Sequence, residues 1–398
     1  MEAAKRTQNE SGKGAASFSP PPEGYRMAAL AKDEVKVAAV QMVGHKIDGN
    51  NPGPGIGANL AKVLEMCGRA GAEGCDLIVF PEFALNLSGG GGLLFTIRWT
   101  REQWLNAAVR IPGPQTDAIG RFTSAHKCYV SFASYVQLPD WPGHFINASV
   151  VVGPSGDVMY VHWKAYWGYP GIGTEYATTV YDVLDEFVGR YGWDAVWPVA
   201  VTPIGNLAGY VCSEGMNPEV ARAYGFNGVE ILCRNFAGGG KGFWRGRLPI
   251  LFRGDCAGNL CWGVYSNNGT EGTTDFERNM AGSSMVVDPC GQVVAEAKAL
   301  GDEIVTATIP IAELRSEKNR FDTWGNRHLT PGTSRGGVRT DLLVALYQQH
   351  LCQFPPNLLT KYQREHGGAL PPDYRATREW YFQHARWQLG YHDPGEKA

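Results

Sequence analysis

The chain has 398 residues, 44% of them hydrophobic and 19% charged, and its formal net charge is -3 at pH 7. That composition is globular, large enough for one sizeable α/β domain or two ordinary ones, with no basic excess to hold nucleic acid. No apolar run reaches bilayer length, and the polar N-terminus lacks the apolar core of a secretion signal, so neither membrane nor export is expected. The nine cysteines form no CxxC pair and no Cys/His ligand spacing, which suits a reducing cytoplasm and speaks against a structural zinc.

Residues 1–33 read as an N-terminal tail, at least partly disordered, because QNESGKGAASFSPPPEG offers little apolar surface to bury. Residues 35–42 (VKVAAVQM) are expected as the first strand, followed by a Gly/Pro-rich loop over 49–57. A helix over about 59–71 places Leu60, Val63, Leu64, Cys67 and Ala70 at helical spacing. Residues 77–80 (LIVF) are a continuous apolar run, typical of a strand covered on both faces, and Pro81-Glu82 ends it. The end of such a strand is where open α/β sheets place their sites. A lone glutamate is nevertheless more commonly a solvated loop carboxylate. The four glycines at 89–92 imply a mobile loop beside it.

A helix over 116–127 and a strand over 128–136 come next. Strands over 146–152 and 158–163 are joined by a hairpin signal, Pro154-Ser155-Gly156-Asp157. Lys164 then stands at a strand end, within YVHWKAYWGYPG; taken alone it reads as a snorkelling surface lysine. A short helix over 183–190 and a hairpin of 199–201 with 207–211 lead to the stretch LAGYVCSEGMNPEVAR at 207–222. Here a buried strand ends at Cys212, a polar turn follows (Ser213, Glu214, Gly215), and Pro218 opens a helix with Glu219 at its positive end. A thiol so placed meets outward-pointing N–H groups that stabilise thiolate and oxyanion alike. Most free cysteines are simply small core residues, so position alone does not make this one reactive.

The helix runs to about 225, then a strand over 229–234, a glycine-rich loop (FAGGGKGFW) and a helix over 249–260. A strand over 261–267, a hairpin of 284–288 with 293–297, and a strand over 303–309 close the sheet region. Residues 317–398 change character. They hold a Gly-, Thr- and Arg-rich stretch and two amphipathic segments, 341–352 and 373–389, expected to wrap the parent domain or contact a partner subunit. Strand–helix–strand occurs twice, over 35–80 and 207–234, with a reactive candidate at an end of each unit.

Glu82, Lys164 and Cys212 thus follow one another along the chain, each at a strand end. Carried by CDLIVFPEFAL, YVHWKAYW and TPIGNLAGYVCSEGMNPEVARAYGFNGVEIL, with FRGDCAGNLCWGVYSNNG and AGSSMVVDPCGQVVAEA in support, residues 35–316 resemble the carbon–nitrogen hydrolase (nitrilase) superfamily. The resemblance implies a four-layer α-β-β-α sandwich over residues 34–316, paired into dimers or larger homo-oligomers. It also implies Cys212 as nucleophile, Glu82 as general base and acid, and Lys164 with the Ser213 N–H as oxyanion site. Glu175, eleven residues after Lys164, matches a further catalytic glutamate of many members. Trp163 departs from the pattern, since many members carry a basic residue there. No metal or cofactor is required.

Within that superfamily the residues after the cysteine vary with substrate. Ser213 stands where nitrilases have Trp, and Gly215 and Met216 offer no cation where carbamoyl amino-acid hydrolases place arginine. CSEGMNPE is more similar to the amidase and formamidase pattern, which implies a small neutral amide as substrate. Trp163, Tyr166 and Phe236 are candidate substrate-binding aromatics, with packing as the plainer role. Carbamoylase or nitrilase activity, and a catalytically silent scaffold, are the competing readings.

Overall fold

The computed structural model describes residues 25–86, 99–166, 176–238, 243–270, 282–319 and 340–387. The expectations for residues 1–24, for the glycines at 89–92 and for Glu175 lie outside them. Twelve strands form two mixed sheets: β1 (Val35–Gln41), β2 (Leu77–Val79), β3 (Val109–Arg110), β4 (Tyr129–Gln137), β5 (Ile146–Val152), β6 (Val158–Trp163), β7 (Leu207–Val211), β8 (Ile231–Phe236), β9 (Trp262–Asn267), β10 (Met285–Val287), β11 (Val293–Glu296) and β12 (Glu303–Ile309). The first sheet has the order β12-β1-β2-β4-β5-β6, with β3 also on β4; the second runs β11-β10-β9-β8-β7. In both, parallel strands (β1-β2-β4 and β7-β8-β9) are flanked by antiparallel ones.

Strand alternation explains the layering. On β1, Val35, Val37 and Ala39 join one apolar cluster with Leu207, Ile231 and Val264 of the other sheet. The intervening Ala38 and Val40 join another, with Val63, Met66 and Ile119 of the helices α1 (Gly53–Ala72) and, after α2 (Arg101–Ala107), α3 (Pro114–His126). The second sheet repeats the arrangement. Beyond α4 (Leu184–Tyr191), its outer face is covered by α5 (Pro218–Phe226) and α6 (Phe243–Asn259) through Val220, Tyr224, Phe252 and Cys256. The result is an α-β-β-α sandwich whose two sheets are covered on both faces. Each fully buried Val or Leu contributes about 1.5–3 kcal/mol, which is why β2 and β7 read as unbroken apolar runs.

The sheets approach most closely at Gly209, where an added Cβ would lie 2.4 Å from Ser149 Oγ. β7 is an edge strand, with outward N–H and C=O groups that need partners. Tyr160 of the facing sheet supplies both, donating to the Gly209 carbonyl (2.9 Å) and accepting from its N–H (3.0 Å). Alongside, Ser149 Oγ donates to Asn235 Oδ1 at 2.7 Å.

Several boundaries differ from expectation. α1 begins at Gly53 rather than 59, since Pro54 in a first turn forfeits no helical bond. α6 begins at Phe243 rather than 249, carrying Pro249 within it. Residues 199–201 form no strand; Ala200 and Leu207 exchange a single bridge of two hydrogen bonds. Within the expected tail, Tyr25 is buried and donates to Glu230 (2.8 Å), which also holds Arg315 of α7 (Ile311–Asn319) at 2.6 and 2.8 Å.

The C-terminal extension contains α8 (Thr340–Gln349), α9 (Leu358–Glu365) and α10 (Tyr374–Gln383). α9 falls between the two amphipathic segments expected from the sequence, and its Leu358 and Leu359 pack into the core beneath α1 and the first sheet. Tyr381 of α10 donates to the buried Asp182 at 2.5 Å, and Arg101 donates to the Pro371 carbonyl. The extension therefore packs on its own domain. α8 touches the domain through Tyr347, which donates to Glu219 of α5 at 2.8 Å, and leaves Leu342, Val344 and Leu346 exposed. Among the described residues no helix is long and apolar enough to cross a membrane.

Gly209→Ala should destabilise the fold by about 1–3 kcal/mol, because its methyl group must push the sheets apart. Denaturant unfolding measures this. Recovery of part of the loss in Gly209→Ala/Ser149→Gly would locate the clash between those two residues.

Candidate active site

The two sheets bring Glu82, Lys164 and Cys212 to neighbouring strand ends. Glu82 follows β2. Its N–H donates to the Phe236 carbonyl (3.3 Å), and its own carbonyl accepts from Asn268 Nδ2 (2.7 Å), so the second sheet grips a residue of the first. Phe83 beside it is left-handed at φ 60°. Lys164 follows β6, with its N–H on the Asn147 carbonyl at 2.8 Å. Lys164 Nζ lies 3.5 Å from Glu82 Oε1, and Asn147 Nδ2 donates to that same oxygen at 2.7 Å. Glu82 and Lys164 are each 1% exposed. Charges so deep persist only when paired and hydrogen-bonded, and these are.

Cys212 follows β7 at φ 48°. Left-handed backbone at a non-glycine residue costs on the order of 1–3 kcal/mol and needs its surroundings to hold it. Three contacts do so. The thiol meets the Ala237 carbonyl at 3.6 Å, and Arg234 Nη2 donates to the Cys212 carbonyl at 3.0 Å. The third is the buried Glu214 carboxylate, which accepts from the N–H groups of Val211 (2.8 Å) and Ala165 (2.7 Å) and lies 3.1 Å from His162 Nε2. It therefore ties the segment after Lys164 to the turn of Cys212. Ser213 is the second residue of a 3₁₀ turn over Cys212–Met216, among the leading N–H groups that a helix leaves without an internal acceptor.

Burial is the largest influence on the Cys212 thiol and pushes its pKa up. The Glu82 carboxylate raises it further, by repelling a thiolate and by hydrogen-bonding the thiol, while Lys164 opposes them. These influences bias the Cys212 sulfur toward the neutral thiol, beside the paired side chains of Glu82 and Lys164. That arrangement can move a proton from sulfur to carboxylate as the sulfur attacks, and can stabilise a nearby developing oxyanion.

The candidate aromatics fare differently. Trp163 points to the outer side of its sheet, packed on Trp141 (5.0 Å between ring centroids) and Phe187 (5.1 Å), away from the cluster. This is the face that alternation assigns it, opposite in direction to Lys164's neighbours in the sandwich. Phe236 is also a core residue, stacked with Tyr265 at 5.4 Å; it serves the site through its backbone carbonyl. Tyr166 is half-buried between the two outer cores. Glu175 lies outside the described residues. Asn147, Glu214 and Arg234 escaped the sequence reading. Asn147 and Arg234 left a signal: a polar residue inside an apolar run, as in INASVVV and ILCRNF, must find a partner if the run is buried. Among the described residues no group of three or more His, Cys, Asp or Glu is placed to hold a metal.

A family model described as carbon–nitrogen hydrolase matches residues 36–319. The bifunctional nitrilase/nitrile hydratase NIT4A of Lupinus angustifolius is 23% identical over 68% of this chain and 78% of its own length. A formamidase of Bacillus cereus (strain B4264) is 30% identical over 42% of each chain. Among solved structures, an amidase from Nesterenkonia sp. superposes with a TM-score of 0.51 at 17% identity, covering 72% of this chain and 95% of that one. A glutamate-to-glutamine variant of that amidase carries the acetamide moiety of fluoroacetamide added covalently at the active-site cysteine.

Glu82→Gln should separate acidity from turnover. Removing the carboxylate lowers the Cys212 pKa, so iodoacetamide should label the variant at lower pH than the parent. Amide hydrolysis should nevertheless fall by about a hundredfold or more for want of a base. A labelling midpoint that stayed put or rose would show that Glu82 does not govern the thiol.

Proposed function

The chain belongs to the carbon–nitrogen hydrolase family, and from that premise we propose that it hydrolyses a small neutral amide through a thioester on Cys212. The observation that carries this reading is the Cys212 thiol at the end of β7 beside the buried Glu82–Lys164 pair, whose Oε1 and Nζ lie 3.5 Å apart. Glu82 takes the thiol proton as sulfur attacks the carbonyl carbon. Lys164 Nζ and the Ser213 N–H hold the oxygen as it becomes an oxyanion. When the C–N bond breaks, Glu82 returns the proton to the departing nitrogen. A water then gives a proton to Glu82 and attacks the thioester, which releases the acid and restores the thiol. Glu175 positions Glu82 and the lysine, or orients the amide. The covalent adduct of the Nesterenkonia amidase supports a cysteine nucleophile in this fold.

A neutral substrate is favoured by where the cations go. Arg234 lies beneath the nucleophile's turn, donating to backbone. Arg101 is buried, with Nε on the Pro371 carbonyl and its guanidinium over the rings of Phe145 and Tyr176. Among the described residues these two guanidiniums are thus engaged by backbone carbonyls and aromatic rings, which supports a substrate without a carboxylate. The exposed leucines of α8 support a homo-oligomeric contact through the C-terminal extension.

Competition between a small neutral amide and an N-carbamoyl amino acid of similar size tests the substrate class. The amide should win by roughly a hundredfold in kcat/KM, equivalent to about 3 kcal/mol. Equal turnover of the ureido acid, or preference for a nitrile included in the same panel, would overturn the amide reading. Cys212→Ala should abolish hydrolysis with the fold intact, since residues acting as a unit cost several orders of magnitude when one is lost. A tenth of parent activity in that variant would remove Cys212 as nucleophile.

A further inference from the structure

Arg234 is a guanidinium in an unusual place. It sits on β8, the central parallel strand of the second sheet, in register with Tyr210 on one side and Tyr265 on the other. It is fully buried, and the rings of Phe236, Tyr210 and Tyr265 surround it with centroids at 4.9, 5.6 and 5.6 Å. Cation–π contacts of this kind gain strength when desolvated. No carboxylate hydrogen-bonds it. Nη1 reaches the Leu248 carbonyl of α6 at 3.4 Å, Nε makes no hydrogen bond, and the shortest bond is from Nη2 to the carbonyl of Cys212. The contact is tight from above as well. A Cβ on Gly215 would lie 2.7 Å from the guanidinium carbon and 2.5 Å from the Tyr210 ring, so only glycine lets the turn settle on this cation.

We propose that Arg234 is a positioning residue for the hydrolysis. Clamped among three aromatic rings, it holds the Cys212 carbonyl, and with it the left-handed turn that aims the thiol at Glu82 and Lys164. The inference rests on Cys212 being the nucleophile. Its logic is that a carbonyl at a strained residue needs a donor that cannot wander. A guanidinium packed on aromatic rings is more constrained than a surface side chain or a water. The positive charge also acts on the sulfur. The charged and titratable groups facing Cys212 are Glu82, Lys164 and Tyr265, with Arg234 below; those facing Arg234 itself are Tyr210, Tyr265 and Asp255. Burial pushes the Asp255 carboxyl up to about 7, against the pull of Arg234 and a 2.7 Å bond from Tyr210. Among the described residues the hydrogen bonds of Arg234 go to backbone carbonyls and not to a carboxylate, so part of its field is left to favour a thiolate.

Full-length Arg234→Met and Arg234→Lys proteins test this by two readouts, steady-state hydrolysis of a small neutral amide and the pH profile of iodoacetamide labelling at Cys212, located by peptide mapping. The Met variant should lose about 10- to 100-fold in kcat with KM within about threefold. Its labelling midpoint should rise by about half a pH unit or more, since a stabilising cation has gone. The Lys variant should restore the midpoint but only part of kcat, because an ammonium lacks the planar fork. Parent kcat and midpoint in the Met variant would overturn the proposal. So would a loss of kcat with the midpoint unmoved, which is what a merely structural role predicts. Should the Met protein fail to fold, Arg234→Gln takes its place, with the same two readouts and with the same outcomes overturning the proposal. Retained hydrolysis by Cys212→Ala is a separate outcome, which would remove the nucleophile reading rather than the role of Arg234.

Discussion

The contact between Glu82 and Lys164 constrains the rest of the site. A carboxylate and an ammonium 3.5 Å apart and almost wholly buried are tolerable only with excellent geometry, because desolvating two ions costs several kcal/mol each. The sandwich provides that geometry by making both sheets responsible for it. Asn147 holds the Glu82 carboxylate with its side chain and the Lys164 N–H with its carbonyl. Asn268 and Phe236, from the second sheet, hold the Glu82 backbone. Loosening the sheets would therefore separate the charges, and the close approach at Gly209 is part of the chemistry as much as of the packing.

Cys212 is held by a second, independent set of contacts. Glu214 bridges the segment after Lys164 to the strand that delivers Cys212, and Arg234 supports the strained carbonyl from below. Neither side chain faces a substrate in this arrangement. Their value is geometric: strain at a reactive residue persists only where the surroundings over-determine it. The same economy governs the thiol's acidity. Burial and Glu82 bias it toward the neutral thiol, so attack waits for a proton acceptor already in place.

Much of this was legible in the sequence, for physical reasons that can be named. Apolar runs of β1, β2 and β7 announce strands buried on both faces, and a helix between parallel strands covers the face that would otherwise meet water. Ionisable residues at strand ends, as at Glu82, Lys164 and Cys212, stand out for the same reason, because an ion is more easily accommodated where a buried strand stops than inside it. Helix starts were less legible. Pro54 read as part of a loop and Pro249 as a helix start, yet one lies in a first turn and the other is carried inside a helix.

What only the tertiary structure decided is which buried polar residues meet, and across which layers. Alternation sends Trp163 outward to Trp141 and Phe187, a choice that local sequence leaves open until the facing layer is known. Asn147, Asn235 and Arg234 each stand inside an apolar run, and the run itself says only that they need partners. Those partners are distant along the chain: Glu82 for Asn147, Ser149 for Asn235, and the carbonyl of Cys212 for Arg234. The sequence by itself determined most of the strands and the candidate residues at their ends, because these depend on local pattern. The field and the strain at Cys212 belong to the packing of one sheet on the other, because both arise from groups that meet only when the sandwich closes.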